Sequence, residues 1–149
     1  MKNIIIILIL LQNIYSYDKL YFLPKDNKEA KKSIISLIKN AKNSIDLAIY
    51  NISYNKFIKE LNKKSKEGVE INIFNYKKDN KFHKNIKYYK TKDKMHTKIA
   101  IFDKKVVVFG SANWKKNAFT KNYEVVNITN EEEKVKKFNN FFIELKEKN

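Results

Sequence analysis

The sequence predicts one α/β domain, a sandwich of helices packed on a central sheet. Three observations carry this. Apolar runs of strand period alternate with runs of helical period in the order β-α-β-α-β. The 149 residues suit a single small domain. With 43% hydrophobic and 13% aromatic residues, the chain can build a packed core despite a formal charge of +16, which excludes global disorder.

The chain opens with Lys2 and the apolar run Ile4–Leu11, followed by Gln12-Asn13-Ile14-Tyr15-Ser16. The run is shorter than the ~20 residues of a membrane helix and fits a secretory signal peptide. Cleavage after Ser16 makes residues 1–16 the signal and 17–149 the domain, with a secreted or periplasmic address. A buried N-terminal strand and an uncleaved lipid anchor are the alternatives. Leu20-Tyr21-Phe22-Leu23 reads as the first strand, ended by Pro24, the only proline. Asp26 is placed to cap a helix whose apolar face is Ala30, Ile34, Leu37, Ile38 and Ala41. The alternation of Ile45, Leu47 and Ile49 predicts a strand over 44–52. Ser53 is placed to cap a second helix bearing Phe57, Ile58 and Leu61, with Gly68 at its C′ position. Val69, Ile71 and Ile73 mark the next strand. Such an order predicts parallel strand pairs joined by crossover helices.

From Asn75 to Lys94 the pattern breaks. Lys77, Lys78, Lys81, Lys84, Lys87, Lys90, Lys92 and Lys94 alternate with Tyr76, Phe82, Tyr88 and Tyr89, and 86–89 is long enough for a short strand. One reading is a nucleic-acid rim of ammonium groups and stacking rings; the other is a solvated loop. Order returns with Ile99-Ala100-Ile101-Phe102 and Val106-Val107-Val108-Phe109, two central strands joined by a turn at Asp103-Lys104-Lys105. Val125–Ile128 is a further strand. Glu131-Glu132-Glu133 opens a last helix with Val135, Phe138, Phe142 and Leu145 on its core face.

All 32 basic residues are lysine, against 16 acidic ones, so polyanions are the expected partners, nucleic acid before an anionic membrane. Zero cysteines exclude disulfides, thiol catalysis and Cys-built metal sites.

The chemistry concentrates in His96-x-Lys98-x4-Asp103-x6-Gly110-Ser111-x-Asn113. Residues two apart on a strand share a face, so His96 and Lys98 project together, and a hairpin through Asp103 returns Ser111 and Asn113 beside them. Ammonium and amide N–H groups suit the oxygens of a phosphoryl transition state, and a neutral imidazole is a competent nucleophile. No carboxylate cluster with two-metal spacing accompanies them, so the pattern predicts phosphoryl transfer without metal or other cofactor.

This string resembles the HKD signature of the phospholipase D superfamily. Over most of Ser44–Lys146 the chain resembles the small bacterial, secreted or periplasmic Nuc-type endonucleases. The resemblance implies a phospholipase D-like α-β-α sandwich with a mixed sheet. It implies that His96 attacks phosphorus to form a phosphohistidine, that Lys98 and Asn113 hold the phosphate oxygens with Ser111 assisting, and that Asp103 is mainly structural. It also implies that Glu124 contacts the catalytic histidine, orienting the imidazole and stabilising its charged form. The segment 74–96 is shorter than in these relatives, which carry an extra helix there. With one motif per chain, a two-fold homodimer is expected, each His96 serving the other as general acid and base; His83 is the alternative acid within one chain. The expected substrate is DNA, with RNA also open, cleaved with little sequence specificity. The rivals are hydrolysis of an anionic phospholipid such as cardiolipin and a nonenzymatic DNA-binding or uptake module.

Overall fold

A computed structural model describes residues 17–76 and 80–149. The expected signal peptide, and Lys77 and Lys78 of the lysine-rich segment, lie outside them. In chain order the elements are β1 (Asp18–Leu23), α1 (Asn27–Asn40), β2 (Ser44–Ile49), α2 (Asn55–Lys66), β3 (Glu70–Asn75) and β4 (Lys87–Lys90). Then follow β5 (Lys98–Phe102), β6 (Val106–Gly110), α3 (Lys116–Thr120), β7 (Glu124–Thr129) and α4 (Glu132–Lys148). The 7-stranded sheet has the order β1-β7-β6-β5-β2-β3-β4 and is mixed. β2, β3 and β4 run parallel, and every other pairing is antiparallel.

Both faces of the sheet are covered, as the nearly continuous apolar strands require. On one face Ala30, Ile34 and Ile38 of α1, Phe57 and Leu61 of α2 and Phe119 of α3 pack on Ile45, Leu47, Ile73 and Val108. On the other, Val135 and Phe142 of α4 pack on Ala48, Phe74, Ile101 and Val107. Alternate residues of one strand therefore serve opposite layers.

Four local expectations are corrected. β1 does not pair with β2; it lies at the sheet edge, antiparallel to β7. Asp26 stands at the start of α1, but its carboxylate accepts from Phe22 N at 2.9 Å instead of capping the first turn. Ser53 does not cap α2, because Ser53 N and Tyr54 N both donate to Trp114 O and the helix begins after Tyr54. The strand expected over 44–52 ends at Ile49. α3 was not foreseen: five residues are too few for a helical period to declare itself.

The lysine-rich segment forms a loop and the edge strand β4, not a helix, among the described residues. Three of its four rings also take part in packing. Tyr89 stacks on Phe74 with centroids 4.7 Å apart, and Phe82 and Tyr88 pack against the core.

Asp103 ties the sheet to its helical layer. Its carboxylate accepts from Lys42 N at 2.9 Å, Asn43 N at 2.7 Å and Ser44 N at 3.0 Å, so the β5–β6 turn holds the start of β2. Burial pushes this carboxyl's pKa up, but the backbone donors outweigh it and leave it below the ordinary aspartate value. Such a group adds stability that is complete above its unfolded pKa and disappears as pH falls through the lower folded one. Asp103→Ala is therefore expected to cost about 2 kcal/mol at neutral pH. Urea unfolding of the two proteins should converge in acid, below the ordinary aspartate range.

Candidate functional site

Topology gathers the motif at one end of the sheet. β5 begins where β2 ends, β6 returns to that end, and β7 starts from it. His96 precedes β5, Ser111 and Asn113 follow β6, and Glu124 opens β7. Asp103 lies at the other end of β5, about 16 Å away at strand rise.

His96 is exposed and Lys98 half-buried. β5 begins only at Lys98, so His96 stands just outside the strand, and the two are joined by a bond: Lys98 Nζ donates to the His96 carbonyl oxygen at 2.6 Å. That uses one of three ammonium hydrogens and leaves the rest for an anion. Burial draws the Lys98 pKa below the ordinary lysine value; Glu124 opposes this and Lys94 reinforces it. The ammonium is thus partly desolvated, which strengthens its pull on an oxyanion.

Asn113 Oδ1 accepts from Asn51 N at 3.2 Å. This fixes the orientation of the carboxamide and leaves its Nδ2 hydrogens to donate elsewhere. The loop after β2 and the loop after β6 are clasped further by Trp114 N donating to Asn51 O at 3.0 Å. Ser111 Oγ donates to Glu124 Oε2 at 2.5 Å and accepts from Val125 N at 3.0 Å, so its only proton is committed to the carboxylate. Glu124 Oε1 also accepts from Asn122 at 3.2 Å. Within one chain Glu124 therefore meets Ser111 and Asn122 and supports the Lys98 charge, and no hydrogen bond joins it to His96.

Tyr50 and Asn51 were missed by sequence reasoning. The Tyr50 ring lies 5.3 Å from the His96 ring, with Lys94 Nζ 4.8 Å and Lys98 Nζ 5.8 Å from its centroid. No local motif marks these residues. The available signal was their position just past the end of a strand, where open α/β sheets place ligands. His83 is held elsewhere: its backbone N–H donates to Asn62 Oδ1 at 2.8 Å, and its Nδ1 lies 3.4 Å from Ser65 Oγ on α2. No group of three or more histidine or acidic side chains suited to a metal ion occurs among the described residues. Among them, no helix is long and apolar enough to cross a membrane.

Residues 34–146 match the family model described as cardiolipin synthase, PLD-like domain. The fold is similar to that of NucT from Helicobacter pylori, with a TM-score of 0.79 and 28% identity over 89% of this chain and 97% of that one. It is similar to Nuc from Salmonella typhimurium, a phospholipase D family member, with a TM-score of 0.74 and 22% identity over 89% and 95%. Polyphosphate kinase from Porphyromonas gingivalis shares the fold at a TM-score of 0.70 and 14% identity, over 89% of this chain and 26% of that one. No curated protein matches the chain.

Gly110 sets how closely β6 and β7 approach at the site. A Cβ there would stand 2.0 Å from Val125 O, and the residue has φ +155°. Val125 O accepts from Ser111 N at 3.0 Å. Gly110→Ala is expected to part the strands at the Ser111–Glu124 pair. Stability should fall by about 2–4 kcal/mol in denaturant titrations, with loss of any activity that needs that pair.

Proposed function

The chain belongs to the PLD-like domain family and is a phosphodiesterase of the phospholipase D superfamily, and on that premise we propose that it is a metal-independent endonuclease acting on DNA and open to RNA. The observation that carries the reading is the exposed His96 side chain at one sheet end together with a partly desolvated Lys98, whose ammonium bonds the His96 carbonyl, and the Asn113 amide, whose oxygen alone is held. This is the donor set a phosphodiester in transition needs.

In the proposed reaction His96 attacks phosphorus and the bond to the leaving oxygen breaks. That oxygen takes a proton from the imidazolium of a second chain's His96. Water then attacks phosphorus, gives its proton to the now neutral second imidazole, and the P–N bond breaks. Lys98 and Asn113 hold the non-bridging oxygens throughout. Ser111 is a positioning residue that fixes Glu124, and Glu124 balances the local positive charge. Asp103 acts only by holding the hairpin.

Two features support a two-fold dimer. One chain carries one suitable histidine, since His83 is anchored to α2. Beside Glu124, the side chains of Tyr123 (94% exposed) and Phe22 (55% exposed) leave an uncovered apolar edge. Nucleic acid is favoured as substrate by the net charge of +16 and by the resemblance of the motif and its surroundings to Nuc-type endonucleases. A secreted or periplasmic address would follow from the leader read in residues 1–16.

The family description, which names cardiolipin synthase, is compatible with a second reading, hydrolysis of an anionic phospholipid such as cardiolipin. Plasmid DNA and cardiolipin vesicles, each incubated with the protein in excess chelator, separate the readings. Plasmid nicking is expected; lipid turnover without nicking replaces the nuclease by the phospholipase, and DNA binding without cleavage replaces it by a binding module. His96→Ala should lower nicking by at least three orders of magnitude. In mixtures of His96→Ala and wild-type chains, full activity in the mixed dimers would rule out shared histidines.

A further inference from the structure

A cleft of about 570 Å³ opens beside the imidazole, between the loop after β2, the end of β3 and the segment leading to β4. The reaction at His96 leaves it unused. Two of its lining residues, Tyr50 and Tyr76, hold their rings parallel within 6°, centroids 6.4 Å apart. Phe82 and Tyr88 add half-buried apolar wall, and Asn51 and Ser53 put polar side chains on the rim.

The two tyrosines are set in place by one side chain. Asn75 is buried, and its Nδ2 donates to Ile49 O at 2.9 Å and to Tyr50 O at 3.1 Å. Its Oδ1 accepts from Tyr76 N at 2.8 Å. The ends of β2 and β3 are thereby bolted together at the residues that carry the rings. A preorganised pair of aromatic faces loses little freedom on binding.

We propose that this cleft is a stacking subsite for an unpaired nucleobase next to the scissile phosphodiester, which makes single-stranded nucleic acid, or a frayed end, the preferred substrate. The inference rests on the nuclease reading for the phosphate at His96. A base offers a π face to Tyr50 and Tyr76 and hydrogen-bonding edges to the polar rim. An acyl chain would strand those rim groups without partners. Tyr50 touches both the cleft and the imidazole, so a base in the cleft belongs to a nucleotide adjoining the attacked phosphate. A base inside a duplex is already stacked and paired and has to leave the helix to enter.

The test compares a fluorescein-labelled single-stranded oligonucleotide with the same backbone made abasic. Cleavage is followed as kcat/KM, and binding as Kd by anisotropy on the His96→Ala chain, which reads the cleft without chemistry. The base-bearing strand should be preferred on the order of tenfold in both measurements. Tyr76→Phe, which keeps the π face, should retain the preference. Tyr76→Leu, which keeps bulk without it, should reduce the ratio towards one. Equal handling of the two strands by the wild type overturns the subsite. So does an equal loss on both strands in Tyr76→Leu, since that marks a structural role, and so does Tyr76-dependent binding to cardiolipin vesicles without a base preference. A base-dependent Kd with no cleavage of either strand would retain the subsite and remove the nuclease reading. Cleavage with a ratio of one would do the reverse.

Discussion

The hairpin of β5 and β6 at the middle of the sheet is the constraint on which the rest depends. At its far end the Asp103 carboxylate gathers three consecutive backbone N–H groups, Lys42 to Ser44, where the chain enters β2. At its near end Gly110 brings β6 so close to β7 that no Cβ fits. Pairing register between these two points is set by strong, directional contacts to backbone. A slip of one residue would turn Lys98 from the site into the opposite layer and expose the apolar side chains beside it. The structural aspartate is therefore remote from the site and still decides its geometry.

At the near end, hydrogen-bond commitments divide the polar groups into those already spent and those left to act. Ser111 spends its proton on Glu124, and the Asn113 oxygen is spent on Asn51. The remaining hydrogens of Lys98 and of the Asn113 amide are left to donate at the sheet end that carries the exposed His96. In a chain whose net charge is +16, the Glu124 carboxylate moderates a strongly positive neighbourhood. The rest of the lysine surface is solvated or paired, as with Lys87 and Glu70 at 3.1 Å, and acts through its summed field.

Tyr50 links the donor set to the cleft beside it. Its ring faces His96 on one flank and belongs with Tyr76 on the other, while Asn75 fastens the two backbones behind them. Phosphate chemistry and base recognition would then share one rigid wall at the ends of β2 and β3. The apolar edge formed by Phe22 and Tyr123 lies beside Glu124, so the proposed second chain would meet the first at the same end of the sheet.

Much of the fold and the motif was legible in the sequence because the deciding forces are local. The periods of Ile45-Leu47-Ile49 and of Val135, Phe138 and Phe142 report which faces are buried, and those faces are buried against opposite helical layers. The spacing from His96 to Asn113 matches a strand, a turn and a returning strand, which needs no distant partner. Caps were less legible: Asp26 and Ser53 have the residue types of caps, yet Phe22 and Trp114 claimed the groups involved. Tertiary structure alone decided that β1 crosses to the far edge and that the loop after β2 joins the motif. It also turned most rings of the lysine-rich segment to packing. Those outcomes depend on pairings between residues far apart in the chain, such as Tyr50 with His96 and Asn51 with Asn113. A one-dimensional pattern records the period of each strand but not its neighbours, and it is the order of neighbours that brings these side chains to one end of the sheet.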